Sequence, residues 1–230
     1  VLSDNDIAII EVLLDHGADP TLVATRPDRW STASAGKSAI AMAARRGRSD
    51  VLALFERRGI RIDLDGVDEL IAACARNNAS AVRSIAGSLP QLATQLVAEG
   101  GKLLAEFAGV GNTDGVRLLL DLGVDVNSRY EGDPYFDVAR NSTALHVAAW
   151  RANHSTVKFL IEHGAEVEAR DGSGRTPLAL AVRACVDSYW SGRRSPESVE
   201  ALLRAGAAAR DIQFPSGYSE VDELLGSYRK

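Results

Sequence analysis

Apolar residues recur along this chain in two alternating helical patterns, clearest over residues 142–182. Leu145, Ala148 and Ala149 fall three and four apart and line one face of a short helix. Val157, Leu160 and Ile161 do the same in the stretch 156–162. Gly164 follows His163 directly, where a left-handed residue stops a helix. The stretch 166–174 is polar and turn-rich, and Thr176-Pro-Leu-Ala then restarts the wording of Thr143-Ala-Leu-His, 33 residues on. The unit reads helix, turn, helix, finger-like loop.

The unit recurs. First-type helices are expected to start near Ser38, Asp68, Lys102, Thr143 and Thr176, at spacings of 30, 34, 41 and 33. Their second-type partners are expected over 51–59, 81–85, 116–123, 156–162 and 198–206. A period of this size marks a stacked-repeat architecture. The pattern at 6–16 is a second helix without a first, so either the array is longer at this end or an upstream helix is missing. At the other end Ser219-Glu-Val-Asp222 resembles a capping box and leads into Leu224-Leu225, which predicts a terminal helix over the last repeat. Between the copies starting at Asp68 and Lys102 the finger is lost. Residues 91–97 read as helix instead, which predicts a distorted junction of lower local stability.

With these residues in view the chain resembles the ankyrin-repeat family. The resemblance rests on Thr143-Ala-Leu-His-Val-Ala-Ala, Thr176-Pro-Leu-Ala-Leu-Ala, Val157-Lys-Phe-Leu-Ile-Glu-His-Gly-Ala and the turn His16-Gly-Ala-Asp-Pro20. It covers nearly the whole chain, strongly in the copies at Thr143 and Thr176, clearly at Ser38, and by register alone at Asp68 and Lys102. The implied fold is all-α, an ankyrin-repeat solenoid. Its divisions are a partial repeat 1–33, a repeat 34–66, a degenerate repeat 67–100, a repeat with a long finger 101–141, a repeat 142–174, a repeat with an inter-helix insertion 175–215, and a capping helix 216–230.

Composition narrows the function. Net charge is −5, which gives no sign of nucleic-acid binding, and no apolar stretch reaches membrane-spanning length. Cys74 and Cys185 sit far apart in helical, apolar contexts without a metal or nucleophile motif, which points to free thiols in a reducing, intracellular setting. The array is expected to be monomeric and is compatible with being part of a longer chain.

Three stretches break the rhythm: 25–30, which contains Trp30; 128–142, with Tyr130, Tyr135 and Phe136; and 187–196, with Tyr189 and Trp190. Exposed Trp, Tyr and Arg dominate interface energetics. The resemblance further implies a concave groove formed by finger tips and the exposed faces of first helices. Counting from the helix starts, its outer row reads Arg45-Arg46, Ala75-Arg76, Gly109-Val110, Trp150-Arg151 and Arg183-Ala184. One turn earlier come Met42, Ala72, Glu106, Val147 and Leu180. The expected partner-binding residues are therefore Arg45, Arg46, Arg76, Glu106, Trp150, Arg151, Arg183, Tyr130, Tyr135, Tyr189 and Trp190. Arginine offers a rigid fork to carboxylate or phosphate, so the expected partner is another protein with an anionic or extended segment. The competing possibility is that these arginines pair with the chain's own carboxylates.

The chain carries no visible catalytic constellation. His146 occupies the family's Thr-Pro-Leu-His position, where the resemblance implies a hydrogen bond to the neighbouring loop. His16 and His163 precede glycines at helix ends, and His154 lies in an inter-helix turn. None has a metal-ligand partner at the right spacing, so no metal or cofactor is expected and the chain reads as a non-enzyme. Gly109-Val-Gly111 follows no strand and is not a dinucleotide fingerprint; Gly36-Lys-Ser38 lacks the rest of a phosphate loop. Glu106, among aliphatic neighbours, is the residue that keeps a second class open: a small-molecule or catalytic pocket centred on Glu106, Arg76, Trp150 and Arg151. A pairing of Glu106 with Lys102 is the simpler alternative.

Overall fold

The structure, a computed structural model, describes residues 6–23, 36–187 and 194–229. Among these the chain is helical, and strand character is limited to isolated bridges such as Tyr130 with Ser142 and Asp133 with Val138. The α-helices are α1 Ile7–Asp15, α2 Ala39–Arg45, α3 Ser49–Arg57, α4 Gly66–Ala75, α5 Ala79–Ser88, α6 Pro90–Ala98, α7 Gly100–Val110, α8 Thr113–Asp121, α9 Ala144–Trp150, α10 His154–Glu162, α11 Pro177–Asp187, α12 Glu197–Arg204 and α13 Ser219–Tyr228.

Local chemistry sets these boundaries. The Ser38 hydroxyl accepts from the Ala41 N–H at 3.2 Å at the start of α2, and the Asn78 side chain accepts from the Ala81 N–H at 3.1 Å before α5. The second-type helices α1, α3, α8, α10 and α12 each run into a glycine: Gly17, Gly59, Gly123, Gly164 and Gly206. All five have φ between 73° and 98°, where a Cβ would be strained.

The chain forms two compact units, residues 1–99 with 114–122, and residues 100–113 with 123–230. In the first, α2 lies beside α4, α3 packs on α2, α5 and α6 pack on α4, and α1 packs on α3. Leu52, Phe55, Leu70 and Ile71 are fully buried there. The helix read at 91–97 is present as α6, begun by Pro90 in its first turn and holding Leu92 and Leu96 inward. Only Leu89 separates it from α5, so a helix stands where other repeats have a finger.

In the second unit α7, α9 and α11 lie side by side, α10 packs on α9, and α12 packs on α10 and α11. Leu103, Phe107, Leu145, Leu160 and Leu178 fill the space between them. The Asn153 amide closes the end of α7 by donating to the carbonyls of Ala108 and Gly109, both at 2.8 Å. A Cβ on Gly101 would meet the Arg129 carbonyl oxygen at 2.2 Å, so only glycine lets the finger return this close to α7. The terminal helix α13 packs on α12 with Val221 and Leu225 fully buried.

His146 ties one repeat to the next. Its Nδ1 accepts from the Thr143 N–H at 3.1 Å as part of a capping box, so Nε2 carries the hydrogen and donates to the Arg175 carbonyl at 3.1 Å. This is the loop contact that the resemblance implied. The ring is fully buried and neutral, and burial holds its pKa below the ordinary histidine value. A depressed histidine leaves the unfolded chain binding more protons once pH drops below its unfolded value near 6.5. Stability contributed by neutral His146 is thus complete above that pH and declines as pH falls toward the folded value. Thermal melts from pH 7.5 to 5.5 should show the midpoint falling, with a shallower fall in His146→Asn, which should also lose about 1–3 kcal/mol at pH 7.5. Equal pH slopes for the two proteins would contradict this.

Candidate functional site

The expected binding residues divide between the units. Arg45, Arg46 and Arg76 lie in the first, and Glu106, Tyr130, Tyr135, Trp150, Arg151 and Arg183 in the second. Tyr189 and Trp190, like Trp30, lie outside the described residues.

In the first unit the arginines are already engaged. Arg45, the last residue of α2, donates through Nε to Asp68 and through a terminal nitrogen to Glu99, both at 2.6 Å. Its side chain retains 17% of its exposure. Arg76, at the end of α4, pairs with Glu56 across to α3. Arg46 is half-buried at the end of α2. The carboxylates that answer Arg45 and Arg76 are Asp68, Glu99 and Glu56. The pairs cross between helices, so no local spacing announces them.

The second unit holds the richer arrangement, and the long finger builds it. The finger folds on itself through paired backbone bonds, Asp133 N–H to Val138 O at 2.8 Å and Val138 N–H to Asp133 O at 3.0 Å. At its tip Pro134–Phe136 forms one 3-10 turn, capped by the Asp133 carboxylate accepting from the Tyr135 N–H at 3.0 Å. The finger also folds back on the helices. Tyr130 and Val138 join Ala105 of α7 and Val147 of α9 in one apolar cluster, with Phe136 and Trp150 packed against it. Tyr130 retains only 8% exposure and packs within this cluster.

Trp150 ends α9 with its indole N–H donating to the Phe136 carbonyl at 2.9 Å. The Arg183 guanidinium lies 4.8 Å from the Trp150 ring centre, and that of Arg151 lies 5.2 Å from Phe136. Asp137, in the left-handed region at φ 55°, anchors this layer. It pairs with Arg183 at 2.6 Å and with Arg175 at 3.6 Å, while Asp187 takes the Arg183 Nε at 3.0 Å. Arg175 in turn holds the buried Asp171 at 2.8 Å. Burial would raise Asp171, but the N–H groups of Arg175 and Ser173 and the Arg175 guanidinium outweigh it and hold the carboxyl below its ordinary range. Above the layer Tyr135 is 78% exposed, its ring meeting Phe136 edge-on at 4.9 Å.

Two expectations change. The row Met42, Ala72, Val147 and Leu180 is buried rather than groove-lining, and only Glu106 of that row is half-buried. The strip of arginines is not a bare cationic surface, because Arg45, Arg76 and Arg183 have carboxylate partners within the chain. Sequence reasoning missed Asp137, whose role depends on a loop returning to α11; its position beside Phe136 in a charged, aromatic insertion was the available signal.

Among the described residues no His, Cys, Asp and Glu side chains cluster in a way that could hold a metal ion. His154 Nδ1 meets the Ser198 hydroxyl at 2.7 Å, and His16 and His163 bond back to carbonyls of their own helices. Burial pushes the thiol of Cys74 up to about 12 and that of Cys185 to about 11, so neither is a thiolate at neutral pH. A shallow crevice between α9, α11 and α12, lined by Ala149, Ala181, Cys185, His154 and Ser198, encloses no space for a ligand and includes none of Glu106, Trp150 or Arg151. Among the described residues no helix is long and apolar enough to cross a membrane.

A family model for ankyrin repeats (three copies) matches residues 70–171 and 104–213, more than half of the chain. The chain belongs to the ankyrin-repeat family, whose repeats generally mediate protein–protein interaction. It is 27% identical over 135 residues to a putative ankyrin repeat protein of Rickettsia bellii, covering 52% of this chain and 53% of that protein. It is 37% identical over 84 residues to serine/threonine-protein kinase 12 of Arabidopsis thaliana, covering 36% of this chain and 17% of the kinase. With mouse Rabankyrin-5 it shares 34% identity over 84 residues, 35% of this chain and 7% of that protein. The chain thus matches about half the length, or much less, of these relatives.

The finger's contacts separate packing from presentation. Trp150→Phe, which removes the indole donor to the Phe136 carbonyl, should lower unfolding free energy by about 1 kcal/mol. Tyr135→Ala should stay within about 0.5 kcal/mol of the parent. Urea melts that give the two variants the same loss would make Tyr135 structural.

Proposed function

We propose that this chain is a non-catalytic protein-interaction module that grips its partner through the long finger and the adjoining ends of α9 and α11. The observation that carries this is Tyr135, 78% exposed on a turn whose backbone is already fixed. An aromatic ring held in advance loses little freedom on binding and becomes a strong anchor. Trp150, Phe136, Arg151 and Arg183 extend the surface beneath it. Arg45, Arg46 and Arg76 form a second contributing patch. The division into repeats given above is part of this reading.

Two features favour a protein partner over a small molecule near Glu106. The finger's own Tyr130, Val138 and Phe136 fill the space against α7 and α9. The arginines already paired with Asp137 and Asp187 suit a broad polar rim better than a charge-driven pocket. A partner's carboxylates compete with those internal ones, so raised salt should slow association only modestly. Two free cysteines with raised pKa values fit an intracellular, reducing setting.

The test begins with a partner isolated by crosslinking to the chain. Tyr135→Ala should then weaken binding by about 1–4 kcal/mol, whereas Arg204→Ala, on exposed α12 surface, should leave it unchanged. Equal affinities for both variants would remove the finger from the interface.

A further inference from the structure

The way the ions around the long finger are paired decides which sign of charge its tip offers to a partner. Over 131–137 the finger carries Glu131, Asp133 and Asp137 and no basic residue. Glu131 is exposed, Tyr135 is 78% exposed, and the Asp137 side chain keeps 53% of its exposure. The guanidiniums that meet the finger come from other elements. Arg151 follows α9 and lies over Phe136, Arg175 stands just before α11, and Arg183 is in α11.

These guanidiniums are closer to saturation than the carboxylates. One face of Arg183 meets the Trp150 ring, its Nε is taken by Asp187 at 3.0 Å and an Nη by Asp137 at 2.6 Å. Arg175 gives its Nε to Asp171 at 2.8 Å and an Nη to the Asp137 carbonyl at 3.3 Å. A carboxylate arriving at Arg183 or Arg175 therefore has to displace an internal one, and exchanges one ion pair for another like it. An ionised carboxylate, by contrast, accepts at about four lone-pair positions. Asp137 can take an incoming ammonium or guanidinium and keep Arg183. Glu131 has no ion-pair partner among the described residues, so a cation there displaces nothing.

We propose that the finger tip docks a cationic protein surface: an apolar slot that takes the Tyr135 ring, edged by Lys or Arg side chains that reach Glu131 and Asp137. This rests on the finger being the binding element, and it reverses the sign that the arginine-rich sequence suggests for the partner. Arg175 and Arg183 offset part of the charge behind the tip, so the attraction is short-ranged and salt slows association only modestly.

The test selects binders to this protein from a displayed library of a small three-helix domain with one face randomised, and discards clones that bind Tyr135→Ala equally well. The retained clones should carry more Lys and Arg, and less Asp and Glu, on that face than the unselected library. Glu131→Lys, an exposed change outside the capped turn, should weaken them by about threefold or more. Retained clones enriched in Asp and Glu, or bound as tightly by Glu131→Lys as by the parent, would overturn the proposal and leave the finger as the binding element. A selection in which every clone binds Tyr135→Ala as well as the parent removes the finger from binding altogether, and the proposal falls with it.

Discussion

A pair of short helices cannot bury its own apolar stripe; only a neighbouring pair can, and everything in this chain follows from that constraint. The first-type helices are alanine-rich because they lie side by side, α7 with α9 and α9 with α11, and Ala148, Ala149 and Ala184 let them approach. The second-type helices carry the larger residues that fill behind them, Phe55 on α3 and Leu160 on α10. His146 adds the directional part. Its two nitrogens satisfy Thr143 within one repeat and Arg175 at the start of the next, so a neutral, buried ring fixes the register between them.

The same constraint explains what becomes of the irregular segments. Where the finger is lost, α6 supplies Leu92 and Leu96 to α4 and α5, so the junction is still covered by apolar side chains. Where the finger is long, Tyr130 and Val138 add to the stack and leave the tip free for another use. A loop that contributes to the core is anchored at its base. Its exposed residues are then held in place at little further entropic cost.

Much of this was legible because it is local. The glycines after α1, α3, α8, α10 and α12, the Ser38 and Thr143 caps and the helix at 91–97 are written in neighbouring residues. The role of His146 was readable from its place in Thr-Ala-Leu-His. The candidate site was legible only in part. Trp150 and Arg183, and Arg151 with Phe136, come together as an aromatic and guanidinium layer, but Tyr130 turned inward, and the arginines found carboxylates that no spacing predicts. Asp137 reaches Arg175 and Arg183 only because the finger folds back, and Glu99 reaches Arg45 only because α6 is a helix. These contacts depend on tertiary placement, which the period of a pattern does not encode.

The central claim is that the long finger is a folded part of the repeat stack, carrying a fixed aromatic tip. Residue-resolved amide exchange tests it most directly at Tyr130 and Val138. The Tyr130 N–H donates to the Ser142 carbonyl at 2.8 Å and the Val138 N–H to the Asp133 carbonyl at 3.0 Å. Both residues are buried. The account predicts that these two amides exchange at least about a hundredfold more slowly than the same residues in an unfolded chain. Exchange of both at unfolded-chain rates, with α7 and α9 still protected, would contradict it.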